Sequence, residues 1–237
     1  MNEFAKNFVD IFNAAAKKSS RAKLFDDFLT CSVAALDRDE QTFATVDNKE
    51  LHVELFAKLM AALEDCIGQK VLVDHVLGLK LKIPTDSSHK PRYRDILGEI
   101  FCELELFDQG GGQVLTPQHM ANVMGETTLS PELIRKEINR RGFVTIKENC
   151  CGSGALVLGG LNALLEMGIN PCRFAFVHAS DLDERCIKMT FIQLSLYGIP
   201  AVVARQDAIT GTIVGTPLVT PIAKFGGNFY GRHQIDR

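Results

Sequence analysis

The sequence lacks the features that mark several specialised classes of protein. None of its 237 residues belongs to an apolar run of the roughly 18 residues that a membrane-spanning helix needs, and the first residues lack the apolar stretch of a signal peptide. It contains no internal repeat and no low-complexity segment. We therefore expect a cytoplasmic, globular protein that makes no membrane contact.

The chain also lacks a charge excess of either sign. It has 26 Lys and Arg residues against 29 Asp and Glu residues, a formal net charge of -3. Proteins that coat nucleic acid usually carry a large basic excess, so any contact with DNA must be local.

Paired metal-ligand spacing is missing as well. The seven cysteines, an odd number, include no two C-x-x-C units, and His75, His119 and His178 have no ligand-spaced partners. The adjacent Cys150 and Cys151 cannot easily point at one metal, and cysteine in a packed loop is commonly a small hydrophobic residue. We predict no metal site and a reduced, cytoplasmic setting.

The first part of the chain has the apolar spacing of helices. Helices are predicted over residues 2–36, broken by the polar residues 17–20, and over 51–66 and 93–107. Residues 83–92, with two prolines and two serines, read as a surface loop.

After residue 140 the pattern alternates between strand and helix. Strands are predicted at 143–147, 173–179 and 200–205, with helices at 155–167 and 184–197. This order favours a parallel sheet with right-handed crossovers. Beyond residue 210 no further strand and helix can be identified. The predicted fold is an α/β, Rossmann-like core over residues 111–237, preceded by a helical N-terminal domain over residues 1–110.

A glycine-rich turn separates the first predicted strand from its helix. In Gly152-Ser153-Gly154 the missing Cβ atoms would let a ligand approach the backbone at a helix N-terminus. Taken alone, this tripeptide is explained equally well by a tight turn that binds nothing.

Carboxylates stand at the ends of the next two strands. Asp181 and Asp183 follow the second strand, and Asp207 follows the third. Parallel sheets of this kind bind ligands at the carboxyl ends of their strands, where an acid accepts hydrogen bonds from ribose hydroxyls. Either Asp181 or Asp183 could instead cap the following helix. Together with the glycine turn, these acids predict a nucleoside-type ligand.

These residues resemble the N6-adenine DNA methyltransferases related to the modification subunits of type I restriction systems. Residues 148–156, ENCCGSGAL, look like the family's first cofactor motif, D-P-x-x-G-S-G, and residues 112–117, GQVLTP, look like its upstream G-Q-F-x-T-P element. Residues 189–199 resemble the helix after the ribose-binding acid. Residues 25–30 also look like a compact, plasmid- and phage-borne branch of the family.

The resemblance implies a methyltransferase core that binds S-adenosylmethionine and methylates adenine in DNA. The methionine end would lie under residues 112–117, the ribose on Asp181 and the adenine amino group near Asp207. The implied cofactor-binding residues are Gln113, Thr116, Pro117, Glu148, Cys150, Gly152, Ser153, Gly154, Asp181, Leu182, Asp207 and Ala208. The target adenine would be flipped out of the duplex, and the protein would act mainly by positioning it.

Two features depart from the family pattern. Glu148 and Asn149 replace the usual Asp-Pro, which keeps the carboxylate and removes the stiff proline. The catalytic motif, Asn/Asp-Pro-Pro-Tyr/Phe, is not found. Its nearest remnant, Asn228-Phe229-Tyr230, lacks prolines and a preceding apolar strand, and a surface tail explains it better. The catalytic residues are therefore unknown.

Two alternatives remain open. The chain could be a catalytically inert cofactor-binding or antirestriction module that resembles a modification subunit, or it could methylate RNA or a small molecule. Lys136, Arg140 and Arg141 could contact phosphate near the cofactor, although a solvated helix face explains them better.

The predicted sheet would leave the strand at 143–147 at an edge. Residues 211–237, the N-terminal helices or a second copy of the chain would have to cover it, and we favour a homodimer or larger assembly.

Overall fold

The computed structural model describes residues 3–16, 20–37, 51, 53–67, 92–107 and 114–225. None of the helices in these ranges is both long and apolar enough to cross a membrane. The helices are α1 (Glu3–Ala15), α2 (Arg21–Asp37), α3 (Val53–Ile67), α4 (Ile96–Glu103), α5 (Gln118–Thr128), α6 (Pro131–Arg141), α7 (Ala155–Glu166), α8 (Pro171–Phe174), α9 (Glu184–Leu196) and α10 (Pro221–Phe225). The strands are β1 (Val144–Glu148), β2 (Ala175–Asp181), β3 (Ala201–Arg205) and β4 (Leu218–Val219).

The N-terminal helices α1 to α3 confirm the predicted periodicity. Their apolar stripes meet in an aromatic cluster, in which the rings of Phe8 and Phe28 lie 5.3 Å apart and edge to face. Phe25 extends this cluster to Phe101 of α4, with 5.9 Å between ring centroids. The loop predicted over residues 83–92 lies, apart from Arg92, outside the described residues.

Helix α4 is shorter than the helix predicted over 93–107. It begins at Ile96 because the side chain of Asp95 accepts a hydrogen bond from the Gly98 N–H and caps the first turn. It ends at Glu103, and Glu105 then takes a left-handed conformation with φ of 53°.

Helix α5 was not predicted in the sequence analysis, whereas α6 confirms the solvated helix face expected for Lys136, Arg140 and Arg141. Helix α5 packs on α7 with the two backbones in contact. A Cβ atom added at Gly125 would collide with the carbonyl of Gly159, and a Cβ atom added at Gly159 would collide with the carbonyl of Ala121. Helix α6 buries no residue fully, starts at a Ser130 cap and ends at left-handed Gly142.

The four strands form one sheet in the order β1-β2-β3-β4, and the predicted β-α-β-α-β order is confirmed. Strands β1 to β3 run parallel, with Val144 opposite Ala175 and Val177 opposite Ala201. Helix α7 packs on β1 and β2, and α9 packs on β2 and β3. All three parallel strands therefore end at one edge of the sheet, where the glycine turn follows β1.

The prediction that no strand and helix follow residue 210 is wrong. Strand β4 pairs antiparallel with β3, and α10 follows it. The pairing covers two residues, and the side chain of Thr220 anchors it: its Oγ1 accepts from the Ala201 N–H at 2.9 Å and donates to the Ile199 carbonyl at 2.9 Å. Because β4 has only two residues and depends on Thr220, it leaves no periodic pattern in the sequence.

Strand β1 lies at an edge of the sheet formed by the described residues, as expected. The tail was one of the segments expected to cover β1. Its described part, residues 211–225, lies at the other edge of the sheet, because β4 pairs with β3. The side chains of Thr145 and Lys147 on β1 are exposed.

Residues 92–107 contact the α/β core directly. The Tyr93 N–H donates to Oδ1 of Asn162 on α7 at 2.7 Å, and the Leu97 N–H donates to Oε1 of Gln193 on α9 at 3.1 Å. Buried apolar residues of both regions belong to one continuous core. The division of the chain into two domains at residue 110 stays a prediction.

Candidate functional site

The glycine turn after β1 has a backbone that only glycine adopts easily. Gly152 and Gly154 have φ angles of 55° and 106°, both in the left-handed region. The Cys151 N–H between β1 and this turn donates to the Ser180 carbonyl of β2 at 2.9 Å. The turn therefore sits directly on the carboxyl end of the sheet.

Buried polar side chains hold this turn from behind. Thr190 Oγ1 donates to the Gly152 carbonyl at 2.9 Å, and Gln193 Nε2 donates to the Ser153 carbonyl at 2.7 Å. The Ser153 hydroxyl donates to Asp95 Oδ2 at 2.5 Å. Burial raises the pKa of the Asp95 carboxyl, while the hydrogen bonds it accepts act in the opposite direction.

Sequence reasoning missed Thr190, Gln193 and Asp95. The first two left a signal, because they are polar residues three positions apart in a helix whose other residues are mostly apolar. Asp95 left only its position before an apolar helical pattern, which marks a cap and not a contact with a distant turn.

Asp181 reaches the same turn from the end of β2. Its Oδ2 accepts a hydrogen bond from the Gly152 N–H at 2.8 Å, and its Oδ1 accepts from the Asp183 N–H at 3.0 Å. The helix cap is Asp183, whose Oδ1 accepts from the Arg185 N–H at 2.8 Å. Asp183 is therefore the cap of α9, whereas Asp181 faces the glycine turn.

Asp207 stands at the same edge, beyond β3. The neighbouring Gln206 N–H donates to the Asp181 carbonyl at 2.9 Å, which continues the β2–β3 pairing up to Asp207. Asp207 Oδ1 accepts from the Ile209 and Thr210 N–H groups at 2.8 and 3.1 Å, and these bonds lower the pKa of its carboxyl.

Apolar side chains are unusually exposed around these acids. Leu182 is 58% exposed and Ile209 is 97% exposed, and Ala208, which follows Asp207, is also exposed. Exposed apolar side chains that cluster can mark a surface that binds a ligand or a partner.

Residues 115–117 pass over the turn and, together with α4, line a cleft next to it. A Cβ atom at Gly152 would lie 3.2 Å from Leu115 Cδ2, so this segment passes directly over the turn. Thr116 and Pro117, with Asp95 and Gly98, line a cleft of about 490 Å³. Gln113 lies outside the described residues.

Glu148, which stands where the family motif has Asp, has a local structural role. Glu148 Oε1 accepts from the Cys150 N–H at 3.0 Å, so the carboxylate closes the bend that the proline would have stiffened. Cys150 is exposed, whereas burial raises the pKa of the Cys151 thiol to about 12. Cys151 is therefore a protonated packing residue, and all seven cysteines are free.

The structure brings together Thr116, Pro117, Glu148, Cys150, Gly152, Ser153, Gly154, Asp181, Leu182, Asp207 and Ala208 at one edge of the sheet. Arg140 and Arg141 do not belong to this group, because α6 leads into the opposite end of β1. The remnant at residues 228–230 lies outside the described residues. This arrangement defines a Rossmann-like α/β protein with a candidate ligand site at the carboxyl ends of its parallel strands.

No protein-family model matches the sequence, and no curated protein matches it. Among solved structures, the chain is similar to a protein of Listeria monocytogenes assigned to the class I S-adenosylmethionine-dependent methyltransferases, with 14% identity and a TM-score of 0.44 over 86% of this chain and 53% of that one. It is also similar to the type I restriction-modification system methyltransferase subunit from Streptococcus thermophilus, with 14% identity and a TM-score of 0.38 over 87% of this chain and 58% of that one. The chain thus spans little more than half the length of each.

Proposed function

We propose that this chain binds S-adenosylmethionine at the carboxyl edge of its sheet. The proposal depends on the position of the Asp181 carboxylate. It accepts a hydrogen bond from the Gly152 N–H and lies between the glycine turn and Asp207. Each carboxylate oxygen has two lone pairs, and each oxygen of Asp181 accepts one backbone N–H. Its remaining acceptor capacity suits the two hydroxyl groups of a ribose.

The rest of the site fits the other parts of this cofactor. Leu182 and Ile209 offer exposed apolar surface to the adenine ring, and Asp207 Oδ2 can accept from its amino group. Thr116 and Pro117 would hold the methionine end in the cleft beside the turn. When bound, S-adenosylmethionine supplies an activated methyl group on its sulfonium.

The proposed activity is N6-adenine methylation of DNA. It is supported by the resemblance of residues 148–156 and 112–117 to the two cofactor motifs of that family, in the same order along the chain. The protein would contribute by holding cofactor and target adenine in place. No side chain of the described site is assigned as a general base.

A second function is favoured by one specific observation, the absence of an Asn/Asp-Pro-Pro-aromatic sequence anywhere in the chain. A protein that keeps the cofactor site without this motif would be an inert cofactor-binding module, one that regulates or mimics a modification subunit.

Calorimetric titration with S-adenosylmethionine and with its demethylated product, S-adenosylhomocysteine, tests the cofactor site. We expect binding of both with one site per chain, whereas a chain that binds neither would refute the proposed function. Transfer of radiolabelled methyl groups then separates the two functions. Label that enters unmethylated duplex DNA, and not the same duplex already methylated at adenine N6, supports the enzyme. Binding without transfer supports the inert module, and label entering RNA or a small molecule supports the remaining alternative.

We further propose that a second copy of the chain covers the edge of β1. An unpaired edge strand is a template for pairing with another chain, and β1 has a paired strand on one side only within the described part of the sheet. Light scattering over a dilution series should show a dimer or larger species that dissociates on dilution. A stable monomer that methylates DNA unaided would contradict this assembly and any role for it in catalysis.

A further inference from the structure

Asp95 is the most deeply buried carboxyl near the candidate site, and the cofactor proposal gives it no part in binding. Asp95 is only 5% exposed. The two side chains that its carboxyl contacts, those of Ser153 and Gln193, are fully or almost fully buried. A buried acid costs free energy unless its oxygens are hydrogen-bonded, so its contacts should have a specific role.

Asp95 joins three elements through its two oxygens. Oδ1 accepts from the Gly98 N–H at 3.0 Å, which caps α4, and from Gln193 Nε2 of α9 at 2.9 Å. Oδ2 accepts from the Ser153 hydroxyl of the glycine turn. Gln193 Nε2 also donates to the Ser153 carbonyl at 2.7 Å, so the turn is held both directly and through Gln193.

The backbone of Asp95 extends the same link to the start of α5, which lines the cleft. Its N–H donates at 2.7 Å to Oε1 of Gln118, the first residue of α5, which follows directly after residues 114–117. The absence of a side chain at Gly98 leaves the room for this arrangement, because a Cβ atom there would lie 2.6 Å from Ser153 Oγ and would collide with the Asp95 carboxyl.

We propose that Asp95 is a positioning residue that sets the glycine turn and the start of α5 at a fixed separation, so that the ligand site is shaped before the ligand arrives. This inference rests on the proposed function, because the ligand whose binding would report it is S-adenosylmethionine or its product. Asp95 acts through Ser153 and Gln118, because both of its carboxyl oxygens already accept hydrogen bonds from the protein.

The test separates positioning from helix capping with two variants of Asp95. Asp95→Ser keeps a residue that caps helices well but is too short to reach Ser153, whereas Asp95→Asn keeps both the cap and the reach. We expect Asp95→Ser to weaken S-adenosylhomocysteine binding about tenfold and Asp95→Asn to stay within about threefold of the wild type. A residue that only capped α4 would show no such difference between Ser and Asn.

Ser153→Ala removes the same link from its other end and covers the case in which Asp95→Ser does not fold. It should also weaken binding about tenfold, and the double variant Asp95→Ser/Ser153→Ala should bind no more weakly than the weaker single variant, because both changes break one link. The inference is overturned if a folded Asp95→Ser, or Ser153→Ala, binds as tightly as the wild type, or if the two losses add. A wild-type chain that does not bind at all instead refutes the proposed function, and this inference with it.

Discussion

The two halves of the candidate site are built in opposite ways. The half around the glycine turn and Asp181 is held by Asp95, the cap of α4, by side chains of α9 and by the backbone of β2. The half around Asp207 is held mainly by its own loop: Asp207 Oδ1 accepts from Ile209 and Thr210, and its backbone N–H donates to Thr212. One half is fixed by the protein interior and the other by a few exposed neighbours.

This difference indicates where binding free energy should be concentrated. A preformed half loses little conformational entropy when a ligand binds, whereas an exposed loop must be ordered and its hydrogen bonds compete with water. We therefore expect substitutions in the glycine-turn half to affect the ligand strongly and equivalent substitutions in the Asp207 half to affect it weakly. Four predictions test this comparison.

The largest effect is expected from Gly152→Val. A β-branched residue at a φ of 55° is strained by about 1 to 3 kcal/mol, and its side chain would meet Leu115 and occupy the ligand's approach. S-adenosylhomocysteine binding, measured by calorimetry, should fall by about 100-fold or more.

The matched control is Gly211→Val in the exposed half. Gly211 has a similar φ of 72°, but a Cβ atom there would meet no heavy atom within 4 Å. It imposes comparable backbone strain away from the turn, and binding should stay within about threefold of the wild type. Equal losses of affinity in both variants would abolish the contrast between the halves.

Asp181→Ala should have the next largest effect. The change removes the acceptor for the ribose hydroxyls and the acceptor for the Gly152 N–H, and hydrogen bonds to a charged group are worth about 1.5 to 3 kcal/mol each. Affinity for S-adenosylhomocysteine should fall at least about tenfold. Asp183→Ala is the control, since it removes only the α9 cap and should lower the free energy of unfolding by about 1 kcal/mol with little change in affinity.

Hydrogen exchange should show ligand-dependent protection of residues 112–117. If this segment covers the methionine end, its exchange requires release of the ligand, so at a ligand concentration about ten times Kd the rate should fall about tenfold. Helix α6, which leads to the opposite end of β1, serves as the internal reference. A segment equally protected with and without ligand would be a fixed structural turn.

The smallest effect is expected from the titration of Asp207. Because backbone N–H groups lower the pKa of this carboxyl in the folded state, its ionised form stabilises the loop above the usual Asp value of 3.8, and this contribution is lost as pH falls through the lowered folded value. Amide exchange at Ile209 and Thr210, expressed relative to the intrinsic exchange rate at each pH and followed by NMR from about pH 6 to about pH 2, should accelerate only near the acid end.

Asp207→Asn keeps the accepting oxygen and removes the titration, so its loop should show no such acceleration. The rest of the site should be indifferent to the substitution, because the Asp207 half makes no contact with Ser153 or Asp95 among the contacts described above. An acid-induced change that persists in the Asn variant would assign the titration to another group.

The sequence predicted the α/β part well because its elements follow regular periods. Helices α7 and α9 and the three parallel strands lie within about two residues of their predicted ends, apart from the first residues of β2, which belong to α8. The meeting of the glycine turn, Asp181 and Asp207 followed from topology alone, since parallel strands end at one edge.

What was missed depends on contacts between distant residues. Asp95 is 58 positions from Ser153 and 98 from Gln193, and no local pattern links them. Helix α5 was missed because its apolar residues Met120, Val123 and Met124 are exposed while small residues face α7. Strand β4 has too few residues for a period of two to be recognised.

The close crossing of α5 and α7 has a consequence for how the sequence can change. Where two helices touch through their backbones, no repacking of side chains can absorb a larger residue, so Gly125 and Gly159 accept no substitution without separating the helices. Helix α7 starts at the glycine turn and α5 starts beside the cleft, and separation would therefore widen the site from a distance. In a saturation mutagenesis library, these two positions should tolerate as few amino acids as the residues proposed to hold the ligand.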